Sequence, residues 1–290
     1  MKRTILIALL LAPLAGLHAA EAPKQEAKPN VIFILADDLG WADLGCYGSK
    51  FHESPNLDKL AAESMRFTQA YSSSPYCSPS RAAIMTGQSP ARLKITDFIP
   101  STDRTGKFLP AEMKHELPLE EVTIAEVMKG HGYATWSVGK WHLGKDPFLP
   151  QNQGFDVNIA GNHSGRPPSY FWPYGHDDPR RKNIYHGGPE PDVYESGKAG
   201  EHLCDRLTSE AIKLIESNQA KPFFLYLAFY DVHTPTQSKP ELVDKYRDKA
   251  RRMGLPEMAT FKQEGTPARG TPAGVTTGGD IAKGKTLGSV

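Results

Sequence analysis

The chain has 290 residues, and its 34 Lys plus Arg against 33 Asp plus Glu leave a net charge of +1. That balance gives no reason to expect nucleic acid or an anionic membrane as partner, because both are bound through a positive excess. A 39% share of hydrophobic residues supports a packed core and excludes global disorder, and three Cys are too few for a disulfide-stapled scaffold.

In chain order, Lys2 and Arg3 precede a nearly continuous apolar run from Ile5 to Leu17, and small residues follow at Ala19, Ala20 and Ala22. This is the layout of an export signal over residues 1–20. The run is shorter than the ~20 residues a bilayer span needs. No stable membrane anchor is therefore expected, and the mature protein is expected in the periplasm or secreted. Residues 21–29 form a polar linker rich in Lys, Ala and Pro.

Val31 to Ala36 is a short, unbroken apolar run, which predicts a strand buried on both faces. Asn56 to Phe67 places Leu57, Leu60, Ala61 and Met65 near helical spacing after a Ser54-Pro55 start signal. Arg81 to Met85 predicts a helix opening after Ser78-Pro79-Ser80 and stopped by Gly87. Leu119 to Lys129 predicts a further helix, with Thr123 as its cap and Gly130 or Gly132 as its stop. Tyr133 to Val138 follows as a strand, Leu207 to Ser217 as an amphipathic helix, and Pro222 to Tyr230 as a second buried strand. Between them, Asn158 to Gly188 is rich in Gly, Pro, His and aromatics and predicts a long loop system.

Residues 265–290 carry Gly and Thr, no aromatic and no period, the composition of a disordered tail. Within it, Gly279-Asp280-Ile281-Ala282-Lys283-Gly284-Lys285-Thr286 matches the phosphate-cradling pattern G-x-x-x-x-G-K-[ST]. That loop works only between a buried strand and a helix. Neither flanks it here, so nucleotide binding is not expected. No internal repeat is present.

Alternating apolar runs and amphipathic stretches predict a layered α/β fold. Open sheets of this class place ligands at the carboxyl ends of their strands. The three predicted strands end in Asp37-Asp38, in Lys140 and His142, and in Asp231 and His233, which together would line one crevice. Adjacent carboxylates repel unless a cation or proton lies between them, and Ca²⁺ and Mg²⁺ prefer carboxylate oxygens. The same Asp-Asp-Leu-Gly stretch is also ordinary turn chemistry.

Cys77-Ser78-Pro79-Ser80-Arg81, running into Ala82-Ala83-Ile84-Met85-Thr86-Gly87, resembles the C-x-P-x-R signature of the sulfatases. Pro29 to Gly40, with its closing Asp37-Asp38, is similar to the opening segment of that family. Gly139-Lys140-Trp141-His142-Leu143-Gly144 resembles its G-K-W-H-L-G segment, and Asp231-Val232-His233-Thr234-Pro235 a later His-bearing one. The resemblance implies an alkaline-phosphatase-like α/β fold over residues 30–264, with a mostly parallel sheet sandwiched by helices.

It also implies roles. Cys77 would be oxidised to formylglycine by a maturation enzyme, and the hydrated aldehyde would be the nucleophile. Asp37, Asp38 and residue 77 would hold Ca²⁺, with Mg²⁺ as the other choice. Arg81, Lys140 and His233 would bind the sulfate, and His142 would take a proton as the aldehyde re-forms. The implied reaction is hydrolysis of a sulfate monoester, arylsulfatase-like, on a sulfated small molecule or sulfated carbohydrate.

Other readings of these residues stay open. Cys77 fits a thiol nucleophile paired with a His, or a buried structural Cys. A related phosphoesterase would place Ser or Thr at the nucleophile. The family's later Asp-Asn metal segment and second Lys have no counterpart after His233, so the domain is expected to be incomplete at its C-terminus. A truncated, non-catalytic remnant is the alternative that follows. Tyr170, Phe171 and Trp172 either line a substrate pocket or are packed, Asn162-His163-Ser164 matches an N-glycosylation acceptor, and Cys46 and Cys204 are expected to be structural.

Overall fold

The computed structural model describes residues 28–101, 108, 111–175, 196–218 and 220–255. The expected export signal, most of the linker, the Gly/Thr tail and the phosphate-loop match lie outside them. No helix among the described residues is long and apolar enough to cross a membrane.

Among the described residues the frame is a four-stranded sheet made of β1 (Val31–Leu35), β2 (Ala134–Gly139), β3 (Val157–Ile159) and β4 (Phe223–Ala228). Its spatial order is β1-β4-β2-β3 and every pairing is parallel. Parallel neighbours need crossover connections, and helices lie in those from β1 to β2 and from β3 to β4, whereas the one from β2 to β3 holds only a short 3-10 turn at Pro150–Asn152. The helices are α1 (Pro55–Glu63), α2 (Cys77–Thr86), α3 (Pro90–Leu93), α4 (Ile124–Gly130), α5 (Leu203–Ser217) and α6 (Pro240–Arg252).

Strand alternation splits the core into two layers. Phe224, Tyr226 and Ala228 of β4 pack with Ala82, Met85, Leu93 and Ala125 from α2, α3 and α4. Phe223, Leu225 and Leu227 face the other way, against Leu203, Leu207 and Ala211 of α5. All six β4 residues are buried, as the unbroken apolar run predicts.

β1 departs from that expectation. Val31, Phe33 and Leu35 pack on the first layer, but Ile32 and Ile34 are 49% and 57% exposed. An apolar run specifies a strand and not its neighbours. Among the described residues β1 lies at the sheet edge, and α5 packs on β2 and β4.

Register decides where the chemistry sits. Leu35 and Gly139 both pair with Ala228, so β1, β4 and β2 end at one level and their exit loops meet above it. At Gly139, with φ of 99°, a Cβ would lie 1.9 Å from the Ala228 carbonyl oxygen, so only glycine allows that close approach.

α2 begins at Cys77, earlier than the expected Arg81. Extended Tyr76 caps it, and Gly87, left-handed at φ 68°, returns its N–H to Ala83. α4 begins only at Ile124, because Thr123 and Glu126 form a reciprocal capping box there and Leu119 to Val122 stay outside the helix. α5 starts at Leu203 because His202 serves as its cap, accepting from the Cys204 N–H at 3.3 Å. α6, which the apolar pattern did not reveal, is anchored by charge. Its Lys245 and Lys249 reach Glu53 at 2.5 and 2.9 Å, and the buried Tyr246 hydroxyl accepts from the Glu53 N–H.

Candidate active site

The crevice above the strand ends is built around Asp37. Its backbone is stitched to the exit of β4, with Asp37 N–H donating to the Asp231 carbonyl at 2.8 Å and Val232 N–H to the Asp37 carbonyl at 2.6 Å. Its side chain is buried between two cations. One oxygen meets Arg81 Nη2 at 3.3 Å and the other accepts from Lys140 Nζ. Arg81 projects from α2 and also donates to the Lys140 carbonyl at 2.8 Å and the Tyr226 hydroxyl at 3.3 Å.

Burial alone would raise the Asp37 pKa, but the charges of Arg81 and Lys140 outweigh it and hold the carboxyl below its usual range. Burial, and then the Arg81 charge, pull Lys140 below the usual lysine value, against the opposing pull of Asp37.

Cys77 opens α2, half-buried, and lines a cavity of about 260 Å³ with Asp37, Asp38, Ser80 and Arg81. Asp38 takes a left-handed backbone at φ 58°, which turns its side chain outward, 57% exposed. His233 Nε2 lies 3.8 Å from its carboxylate. His233 Nδ1 is 2.9 Å from the Thr234 carbonyl, which only accepts, so Nδ1 donates and Nε2 faces the crevice.

The structure thus brings Asp37, Asp38, Cys77 and Arg81 to one cavity, with Lys140 behind Asp37 and His233 beside Asp38, neither of them lining it. His142 is placed differently from the expected proton acceptor. Its ring is buried, with Nε2 at 2.5 Å from the Ile99 carbonyl and the Gly165 backbone against it, and it does not line the cavity. Nδ1 finds no hydrogen-bond partner among the described residues. Burial, and then the Lys140 charge, push its pKa down to about 3, so the ring is neutral.

Three contributors were not evident from sequence. Ser78 donates to the His142 carbonyl and accepts from the Ile99 N–H, both at 3.0 Å, which ties the start of α2 to the exit of β2. Its place inside the C-x-P-x-R match was the available signal. Tyr226 and Ile99 carried no signal, since each looks like core.

Further residues singled out in the sequence also find their places. Asn162 is buried and its side-chain oxygen accepts from Ser164 N–H at 2.7 Å, so it does not present a glycosylation acceptor. Tyr170 is buried in the second core layer and Phe171 packs edge-on to His202, so the aromatic loop is packing and not a pocket wall. Cys46, Cys77 and Cys204 are free thiols. The ring hydrogen bonds of His142 and His233 go to backbone carbonyls, and no thiol-imidazole pair at Cys77 is seen among the described residues.

Whether the acids fit a divalent cation is a matter of donor count. Ca²⁺ takes about 6–8 oxygens. Among the described residues no group of three or more His, Cys, Asp and Glu is placed to hold a metal, and both Asp37 oxygens already meet cationic side chains. The described residues by themselves do not make the shell.

A family model for the sulfatases matches residues 29–254. The chain belongs to the sulfatase family. It is 40% identical over 248 residues to N-acetylgalactosamine-6-sulfatase of Canis lupus familiaris, covering 81% of this chain and 45% of that one. It is 35% identical over 261 residues to arylsulfatase A of Homo sapiens, covering 82% and 46%. The crystal structure of Ps i-CgsB matches with a TM-score of 0.60 and 33% identity over 76% of this chain and 49% of that chain. The parallel α/β sheet is thus that of sulfatases with the alkaline-phosphatase-like fold. The chain spans about half the length of the curated relatives it matches.

Proposed function

We propose that this sulfatase-family chain carries the nucleophile-bearing, anion-binding part of a sulfuric ester hydrolase. The observation that carries the reading is the convergence of Cys77, Arg81 and Lys140 on the Asp37-Asp38 crevice. Oxidised to formylglycine by a maturation enzyme and hydrated, residue 77 would attack sulfur through one hydroxyl while the S–O ester bond breaks and the alcohol leaves; loss of the proton of the second hydroxyl would then re-form the aldehyde, expel sulfate and leave water to restore the hydrate.

The remaining roles fall to side chains already in place. Arg81 and Lys140, with one counter-charge between them, leave a net positive charge beneath the cavity. Buried charge fixed there stabilises the negative charge that grows on sulfate oxygens, with little reorganisation at the moment of reaction. His233 stands beside Asp38, where its Nε2, protonated in the imidazolium form, would donate to a further sulfate oxygen. His142 is neutral with its Nδ1 lone pair unused, but its ring is buried outside the cavity lining, so the scheme assigns it no direct proton transfer with residue 77. Asp37 and Asp38 are the acids that Ca²⁺ or Mg²⁺ would take. Together they supply only part of its shell, so the charge neutralisation available here is that of Arg81 and Lys140.

A sulfated carbohydrate is the substrate class we assign. N-acetylgalactosamine-6-sulfatase is among the relatives, and Ps i-CgsB has been crystallised with a neocarrahexaose. The signal-like residues 1–20 support export to the periplasm or beyond. A second reading, sulfate binding without turnover, is favoured by one observation, that both Asp37 oxygens are occupied by cations.

Peptide mass spectrometry across Cys77, together with sulfate release from an aryl sulfate with and without Ca²⁺, tests both readings. The hydrolase reading expects an aldehyde at residue 77 and turnover that Cys77→Ala abolishes. An unmodified thiol from a maturation-competent host, or turnover that survives Cys77→Ala, removes it. Sulfate binding with no release establishes the second.

A further inference from the structure

The loop that carries His233 is held from behind by residues the proposed chemistry does not use. Tyr170 is buried, and its hydroxyl lies 2.7 Å from the Tyr230 carbonyl and 2.8 Å from the His233 carbonyl. A phenol has one proton, so its donation is shared between the two acceptors that bracket this turn. The turn also closes on itself, His233 N–H donating to the Tyr230 carbonyl at 3.0 Å.

The phenol is itself fixed. Tyr170 N–H donates to Gln237 Oε1 at 2.7 Å, and its carbonyl accepts from Leu203 N–H at 2.8 Å at the start of α5. Its ring stacks on His202, with centroids 5.4 Å apart and planes within 9°. His202 Nδ1 accepts from Cys204 N–H, so Nε2 bears the ring proton, and that nitrogen lies 3.9 Å from Asp231 Oδ1. Asp231 returns the line to the crevice, because its carbonyl accepts from Asp37 N–H. α5 is thereby connected to both acids of the crevice, to Asp37 through Asp231 and to the neighbourhood of Asp38 through Tyr170 and His233.

We propose that Tyr170, seated on His202, is a positioning residue of this site, fixing through its hydroxyl the backbone of His233 and hence the reach of that imidazole toward Asp38. The geometric claim stands on the contacts above; its kinetic consequence rests on the hydrolase reading of the preceding section.

Tyr170→Phe in the full chain keeps the ring, the stacking and the burial, and removes one hydroxyl. With histidine ring nitrogens isotopically labelled and the His233 resonance assigned through His233→Gln, that resonance is expected to shift and broaden in Tyr170→Phe. Gln237→Leu, which frees Tyr170 from its other side while leaving the phenol, is expected to move it in the same direction and less. Turnover of an aryl sulfate is expected to fall in kcat by about tenfold, the kinetic equivalent of one ordinary hydrogen bond, with KM changing less.

A folded Tyr170→Phe whose His233 resonance is unmoved overturns the proposal, whatever its turnover. If Tyr170→Phe does not fold, an unmoved resonance in Gln237→Leu overturns it equally. A wild-type chain that releases no sulfate sinks the hydrolase reading alone, and the resonance then decides the positioning claim by itself.

Discussion

Asp37 and Asp38 are neighbours with the same side chain, and the fold treats them as opposites. Asp37 points into the protein, where Arg81 and Lys140 take its two oxygens. Asp38, one residue on and left-handed, points out to solvent and faces only His233 among the ion-pairing groups described for it. The first is an element of structure that holds two cations under the cavity. The second is free to meet what enters. The difference shows that a functional motif need not be uniform: here one acid builds the floor and its twin furnishes the wall.

The sharpest way to break that contrast is to remove the inner acid. Asp37→Ala strands Arg81 and Lys140 in the interior without a counter-charge. It is expected to cost about 3–5 kcal/mol of unfolding free energy, measured by urea denaturation. A loss below about 1 kcal/mol would mean that the inner carboxylate is not the buried keystone described.

A smaller effect comes from acid. His142 is held near a pKa of about 3 inside the fold, against about 6.5 for the free side chain. Its folded pKa is depressed, so below 6.5 the unfolded chain binds a proton that the folded chain refuses. Stability is therefore full above pH 6.5 and falls as pH drops from there toward 3, at up to about 1.4 kcal/mol per unit. Asp37, also depressed, adds its loss only below the ordinary carboxylate range near about 3.9, so the two are separable. Melting temperatures at pH 7, 5.5 and 4.5 should fall in wild type and fall less in His142→Gln; parallel curves would contradict the buried, neutral ring.

The smallest effect is expected at the outer acid. Asn tolerates a left-handed backbone, and Asp38 is exposed, so Asp38→Asn should change unfolding free energy by less than about 0.5 kcal/mol. Sulfate release should nonetheless be lost. An unfolding cost like that of Asp37→Ala would erase the distinction between the two acids, and unchanged turnover would remove Asp38 from the site.

Much of the crevice is legible in the amino-acid sequence. The Cys77 to Arg81 motif, the apolar runs and the ionisable residues that follow them are local patterns, and local patterns survive in a linear string. The expected helices and strands are present with shifted ends, and the shifts have identifiable causes. His202 capping α5 is one, because His is a rare cap and carries no turn signature. Non-local facts were out of reach. Nothing in the Val31 to Ala36 run says that β1 lies at an edge and leaves Ile32 and Ile34 half open. The aromatic content of the 170–172 stretch fitted a pocket wall and plain packing equally, and only the fold spends the Tyr170 hydroxyl on carbonyls about 60 residues away in sequence.

The linear order of residues thus determined the strand runs, the C-x-P-x-R segment and the kinds of groups gathered at the strand ends, because each depends on short-range periodicity and residue chemistry. Tertiary structure alone decided which acid is inside, which way the His142 ring turns, and what braces His233. Those outcomes follow from register, burial and the direction of a side chain in space, and the free energy of each is set by neighbours that the chain brings together only when it folds.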